Sequence, residues 1–295
     1  MMAMAMETRL IRKITVFLEM IKFSHTVFAL PFALTGALLA ANGLPSGRQV
    51  FWIILAMVGA RTAAMGLNRL IDAEIDAKNP RTASRAIPAG LIGKGVTLAF
   101  IVAATLLLLL SARMLNPLCL MLSPVAIFFL VLYSYCKRFT SLAHVVLGIC
   151  LAAAPMGAWI AIRGSIDAPA LILGGIVLFW VAGFDILYAL QDLEFDRAAG
   201  LHSIPVALGV RGSLNAARLF HLVMMGLLLG LFVTMHLGGL FLAGIVVAGA
   251  MLLYEHLLLR GGNLEKLDAA FFNMNGYISI CVLAFTLADL LARRP

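Results

Sequence analysis

Residues 66–90 read GLNRLIDAEIDAKNPRTASRAIPAG, a stretch that puts acids and bases directly behind a long apolar run. Asn68, Asp72 and Asp76 recur at four-residue intervals. On a helix such positions stack on one face, about 5–6 Å apart between Cβ atoms, so three oxygen-bearing groups line one ridge at a helix end. Two carboxylates that close repel each other unless a cation bridges them. Hard oxygen ligands carried by one or two carboxylates suit Mg²⁺ shared with a phosphate. A lone DxxxD is usually a solvated helix end, but here Lys78, Arg81 and Arg85 follow at once, separated by Pro80 and closed by Pro88 and Gly90. A metal held by carboxylates beside an oxyanion held by arginines makes a diphosphate site.

The apolar run before this stretch is one of many. The chain has 295 residues, 63% of them hydrophobic and 12% charged, with a mean hydropathy of +1.03. A water-soluble globule is excluded, because runs of about 20 apolar residues, enough to cross roughly 30 Å of hydrocarbon, recur along the whole length. The reading is an all-α polytopic membrane protein forming a single domain over residues 1–295, with nine transmembrane helices around a central cavity and short cytoplasmic cap segments. The spans are predicted near 24–41, 50–71, 96–114, 117–133, 142–162, 169–190, 217–236, 240–259 and 270–291. Cys119, Cys136, Cys150 and Cys281 lie in or beside apolar runs without CxxC spacing, so neither a disulfide framework nor a zinc site is expected. No removable signal peptide is read at the N-terminus.

A net charge of +8 invites a nucleic-acid reading, but the bases fall in short loops between apolar runs and act as topology signals. Sixteen of the 22 Lys and Arg residues lie on the side that holds the N-terminus and the loops after the even-numbered spans. Five lie opposite (Arg48, Arg113, Arg163, Arg293 and Arg294), and Arg61 lies within the second span. That asymmetry predicts a multi-pass protein of the cell inner membrane with a cytoplasmic N-terminus and an outer C-terminus.

Asp192 and Asp196, in YALQDLEFD (188–196), repeat the four-residue spacing at the end of another even-numbered span. Seven of the fourteen acids lie in or just before the two ridges: Asp72, Glu74, Asp76, Asp185, Asp192, Glu194 and Asp196. Two matched acidic clusters on one membrane face can hold two Mg²⁺ ions against one diphosphate. Asp185 stands within the sixth span, where an acid is costly; it either hydrogen-bonds a neighbouring helix or, with Tyr188, shapes a pocket. Lys137 and Arg138 serve as a positive-inside anchor or as oxyanion contacts. A cation-coupled transporter also needs carboxylates in a helical bundle, but such sites lie near the bilayer midplane, whereas both ridges here fall at span ends.

NRLIDAEID with its trailing RTASRAIPAG, and YALQDLEFD with its trailing RAAGLHSIP, resemble the two aspartate motifs of the UbiA superfamily of intramembrane prenyltransferases. KFSHTVFALPFA (22–33) and YSYCKRFTS (133–141) are similar to its quinone-pathway members, the 4-hydroxybenzoate polyprenyltransferases. Many members carry Asn-Asp where this chain has Asn68-Arg69. The resemblance implies Mg²⁺-assisted ionisation of a polyprenyl diphosphate and transfer of its prenyl group to a small aromatic acid, either 4-hydroxybenzoate for ubiquinone or a naphthoate such as 1,4-dihydroxy-6-naphthoate for menaquinone. Asn68, Asp72, Asp76, Asp192 and Asp196 would then be the catalytic, metal-binding set. Arg81, Arg85, Lys137 and Arg138 would contact diphosphate, with Asn68 and Arg85 also near the acceptor and Asp185 and Tyr188 in the same pocket. Membrane lipid is the expected surrounding partner and nucleic acid is not.

Overall fold

The structure, a computed structural model, describes residues 13–20, 29–259 and 274–293, and among them every regular element is a helix. Numbered in chain order they are α1 (13–20), α2 (Ala29–Ala41), α3 (Gly47–Ile71), α4 (Ala73–Lys78), α5 (Lys94–Leu115), α6 (Pro117–Cys136), α7 (Ala143–Arg163), α8 (Ala168–Ala189), α9 (Leu193–Ala198), α10 (Ile204–Thr234), α11 (Gly239–Leu258) and α12 (Asn275–Ala292). Eight of these are long and apolar enough to cross a membrane, while α2 has 13 residues. The first predicted span begins at 24, and residues 24–28 lie outside the described residues, as does the start of the ninth.

Local signals set most of the boundaries. Ser46 opens α3 with a reciprocal capping box: its Oγ accepts from Gln49 N, and Gln49 Oε1 accepts from Ser46 N at 3.1 Å. Asn116 caps α6 by accepting from Cys119 N at 2.9 Å, with Pro117 in the first turn, and its amide donates to Ile160 O of α7 at 2.7 Å. Gly164 ends α7 in the left-handed conformation, φ 69°. Asp289 of α12 closes the start of α11 by accepting from Gly238 N at 2.8 Å and Phe241 N at 3.3 Å.

Among the described residues, the seventh span departs most from expectation. It was expected to begin at 217, yet α10 starts at Ile204, capped by Ser203 and kinked at Gly209 (φ 66°, ψ −177°). A positive φ costs glycine little, so the chain turns there from a short helical segment (204–208) into the long one (210–234). The bases at 211 and 218 therefore stand on the helix itself.

α8 runs through the middle of the bundle between α7 and α10, with Ile176, Trp180, Val181, Ala182 and Ile186 fully buried. The outer faces are apolar instead of polar. Leu98, Val102, Leu106 and Leu110 form one exposed stripe along α5, and Leu219, Leu222, Leu229 and Val233 another on α10. Contiguous apolar surface on that scale belongs against hydrocarbon. Some polar groups inside the bundle pair across helices: Trp180 Nε1 donates to Asn275 Oδ1 at 2.8 Å, and the His221 and His256 rings meet at 2.9 Å. These pairs tie α8 and α10 to α11 and α12.

Close helix approach depends on small residues. A Cβ built on Gly148 of α7 would lie 2.5 Å from Leu178 O of α8, whereas one on Gly226 meets nothing within 4 Å. Gly148→Val should therefore wedge α7 off α8, at an overpacking cost of about 1–3 kcal/mol. The expected result is a clearly lower unfolding temperature in detergent, with Gly226→Ala unchanged as the control.

Candidate functional site

Both acidic segments share one local design. α3 ends at Ile71, and Asp72 is at once its C-cap and the N-cap of the short helix α4 that carries Asp76. α8 passes through a 3₁₀ turn (190–192) to Asp192, which is the N-cap of the short helix α9 carrying Asp196. The expected continuous ridges are therefore broken helices. The four-residue register survives the break: Asp72 N donates to Asn68 O at 2.9 Å and Asp76 N to Asp72 O at 2.8 Å.

The two segments meet. The loop after α4 folds across to α8, where Asn79 Nδ2 and Arg81 Nε each donate to Asp192 Oδ1 at 2.9 Å, and Arg81 Nη2 pairs with Asp192 Oδ2. Arg81 also donates to the Tyr188 hydroxyl at 3.3 Å and lies over its ring, 5.5 Å from the centroid. Burial works against the Arg81 charge, but the hydrogen bonds and charge of Asp192, then Tyr188, outweigh it and hold the guanidinium above its ordinary pKa.

The first segment is neutralised from two directions. Arg85 Nη1 donates to Asp76 Oδ1 at 2.7 Å. Lys137 Nζ, in the loop between α6 and α7, lies 2.6 Å from Asp72 Oδ2, which also accepts from Asn68 Nδ2 at 3.0 Å. Arg138 Nη1 lies 3.0 Å from Asp72 Oδ1 but donates to Ser134 O, so the contact is one of charge, while Nη2 donates to Ile71 O. Asp196 interacts electrostatically with Asp192, Lys137, His144 and Arg81. Asp185 takes the helix-to-helix option: its Oδ2 lies 2.7 Å from His144 Nδ1 on α7.

All eleven residues singled out in the sequence thus stand in one connected region. Asn79, His144 and the buried Arg69, which donates to Asn68 Oδ1 at 3.2 Å, belong there too and went unmarked. Asn79 was legible as the last residue before Pro80 in the decisive stretch, and His144 as a polar side chain near the start of an apolar span, the reasoning that did pick out Asp185. The exposed Arg197 lies beside Glu194 at 3.7 Å, and His202 donates its backbone N–H to Lys137 O at 2.7 Å.

The donor set fits Mg²⁺. Asp72 and Asp76 are only 2% and 4% exposed, and Asp72 Oδ1 and Asp76 Oδ2 accept no hydrogen bond, although buried carboxylate oxygens normally do. Among the described residues no three acidic, His or Cys side chains converge as a metal cage. The free oxygens of Asp72 and Asp76 suit an ion content with one or two carboxylates that completes its shell with phosphate and water, as Mg²⁺ does. A hollow of about 300 Å³ lined by Ser46, Arg48, Gln49, Trp52, Met114 and Leu115 lies at the opposite ends of α3 and α5 and offers no carboxylate.

Lys137→Met would leave Asp72 beside Arg138 alone. Removing one partner of a fully buried pair costs about 3–5 kcal/mol; with Lys137 part-exposed and Arg138 retained, about 1–3 kcal/mol is expected. The Asp72→Asn/Lys137→Met double variant should recover most of that in thermal unfolding of the purified protein, and equal losses for single and double variants would contradict the pairing.

The model of the UbiA prenyltransferase family matches residues 29–277. The 4-hydroxybenzoate octaprenyltransferase of Aliivibrio fischeri strain MJ11 is 31% identical over 252 residues, covering 84% of this chain and 88% of that protein. Among solved structures, a UbiA homolog from Aeropyrum pernix K1 superposes with a TM-score of 0.83 at 31% identity, covering 90% of this chain and 98% of the other. The fold also matches a UbiA homolog from Archaeoglobus fulgidus bound to DMAPP and Mg²⁺, with a TM-score of 0.69 at 20% identity over 93% and 99% of the two chains. The chain belongs to the UbiA prenyltransferase family.

Proposed function

We propose that the protein transfers a polyprenyl group from polyprenyl diphosphate to a small aromatic acid, 4-hydroxybenzoate in the simplest case, at a Mg²⁺-dependent site. The observation that carries this reading is the meeting of the two acidic segments through Arg81, Asn79 and Asp192, beside two buried carboxylate oxygens without hydrogen bonds. Mg²⁺ would be held by Asp72 and Asp76 with Asn68, and by Asp192 and Asp196, and when bound it supplies Lewis-acid stabilisation of the departing diphosphate.

The chain's own residues account for the rest. Breaking an allylic C–O bond leaves a delocalised cation and a polyanion, so the barrier falls when positive charge is already aimed at the leaving oxygens. Arg81, Arg85, Lys137 and Arg138 supply it. Each is held in place by a carboxylate or a backbone carbonyl, and such pairs can be exchanged for phosphate oxygens of the same geometry. The polyprenyl chain leaves the polar end for the apolar interior and the lipid, where water is excluded from the allylic cation. The aromatic ring attacks the allylic carbon through a π pair, and the ring proton leaves afterwards. The bias of Lys and Arg towards one set of loops supports a cytoplasmic mouth and an inner-membrane location.

The test is turnover of labelled polyprenyl diphosphate by purified protein with Mg²⁺ and a panel of phenolic and naphthoic acids. Asp72→Ala and Asp192→Ala should each lower kcat by at least about 10²-fold, the scale for removing preorganised charge stabilisation, and chelation of divalent ions should abolish product. Activity that persists in both variants would defeat the site assignment, and turnover of a naphthoate alone would transfer the acceptor to that class.

A further inference from the structure

Diphosphate chemistry leaves one polar pair in this region unused. His144 is the second residue of α7, and its Nδ1 lies 2.7 Å from Asp185 Oδ2 on α8. With Asp185 Oδ2 as the acceptor, Nδ1 is the donor, and in that tautomer the ring lone pair stands on Nε2. His144 is 4% exposed, and Nε2 has no hydrogen-bond partner. A buried acceptor left unmatched is costly, and a ligand able to donate an O–H would recover that cost.

Its position says which ligand. Tyr133 of α6 is within electrostatic reach of both Asp185 and Asp72, and Asp196 is within reach of His144. The pair therefore shares electrostatic neighbours with both acidic segments. Asp185 precedes Asp192 by seven residues, about 10 Å along a helix at 1.5 Å per residue, on the side where the bundle turns apolar. A diphosphate at the acidic ends directs its allylic carbon to that side, so the ring attacking this carbon lies at the depth of His144.

Given the transferase reading above, on which this rests, we propose that His144 Nε2 is the hydrogen-bond acceptor for the phenolic hydroxyl of the aromatic acid. Asp185 acts as the positioning residue that sets the imidazole tautomer. The hydrogen bond orients the ring and pushes electron density from the hydroxyl oxygen into the carbon beside it, the carbon that attacks.

The test is calorimetric titration of 4-hydroxybenzoate and of 4-fluorobenzoate, nearly the same shape but with no hydrogen to donate. Both are titrated into full-length protein holding Mg²⁺ and an unreactive prenyl thiolodiphosphate. In the wild type the hydroxy acid should bind about 10–100-fold more tightly, since a site built to pair a hydroxyl discriminates against the analogue lacking it. His144→Ala should shrink that ratio to about twofold and leave thiolodiphosphate affinity unchanged. His144→Gln, whose amide oxygen can still accept, should keep the preference. Asp185→Asn can donate to Nδ1, which switches the hydrogen to Nε2; the preference should fall while the fold stays intact, an outcome that helix packing alone would not produce. A preference that survives in both Asp185→Asn and His144→Ala, or in Asp185→Asn alone should His144→Ala not fold, overturns this proposal alone. A wild type that binds neither acid overturns both this proposal and the transferase reading.

Discussion

Holding carboxylates at the end of an apolar bundle is the constraint around which the rest of this molecule is arranged. Desolvating an unpaired carboxylate costs several kcal/mol, so each acid kept out of water must meet a cation or a donor. Asp72 meets Lys137, Asn68 and Arg138; Asp76 meets Arg85; Asp192 meets Arg81 and Asn79; Asp185 meets His144. These partners come from the loop after α4, the loop after α6 and the start of α7, so satisfying the charges also draws together helices distant in sequence. The acids are costly for folding and useful for chemistry, and the same bases that neutralise them can turn to a phosphate.

Two broken helices carry that arrangement. Asp72 and Asp192 each end one helical segment and begin a shorter one, so each acid stands at the mouth with its successor one turn beyond. The break also places the first N–H groups of a helix beside the carboxylate, a favourable position for negative charge. Deeper in the bundle Trp180 and Asn275 pair across helices, and most buried side chains there are apolar.

Most of this was legible because membrane spans are written in hydropathy. The run after Ser46 and the Asn116-Pro117 junction fall within a few residues of α3 and α6, where cap residues coincide with the onset of the apolar pattern. Both acidic segments were legible from four-residue spacing, which persists through the break at Asp72. The break was not, because it depends on the backbone of Asp72 adopting φ −89° and ψ 2°, a choice made by its neighbours. The helical turns before Gly209 were hidden because that residue reads as a stop signal, and the chain does leave helical geometry there before resuming it. Cross-chain partners were hidden too. Nothing local in Asn79 points to Asp192, 113 positions away, and His144 gains meaning only once Asp185 is seen against it.

The central claim is that residues following the third helix reach Asp192 across a shared mouth, and chemical cross-linking tests it most directly. In a background with the four native cysteines replaced, Asn79→Cys and Asp192→Cys would be treated with a short bismaleimide in intact membranes, then proteolysed and weighed by mass spectrometry. The account predicts efficient joining of peptides from the two segments, with none when the second cysteine stands instead at Arg163, at the far end of α7. Absence of the 79–192 product, with both thiols still reactive towards a monofunctional maleimide, would contradict it.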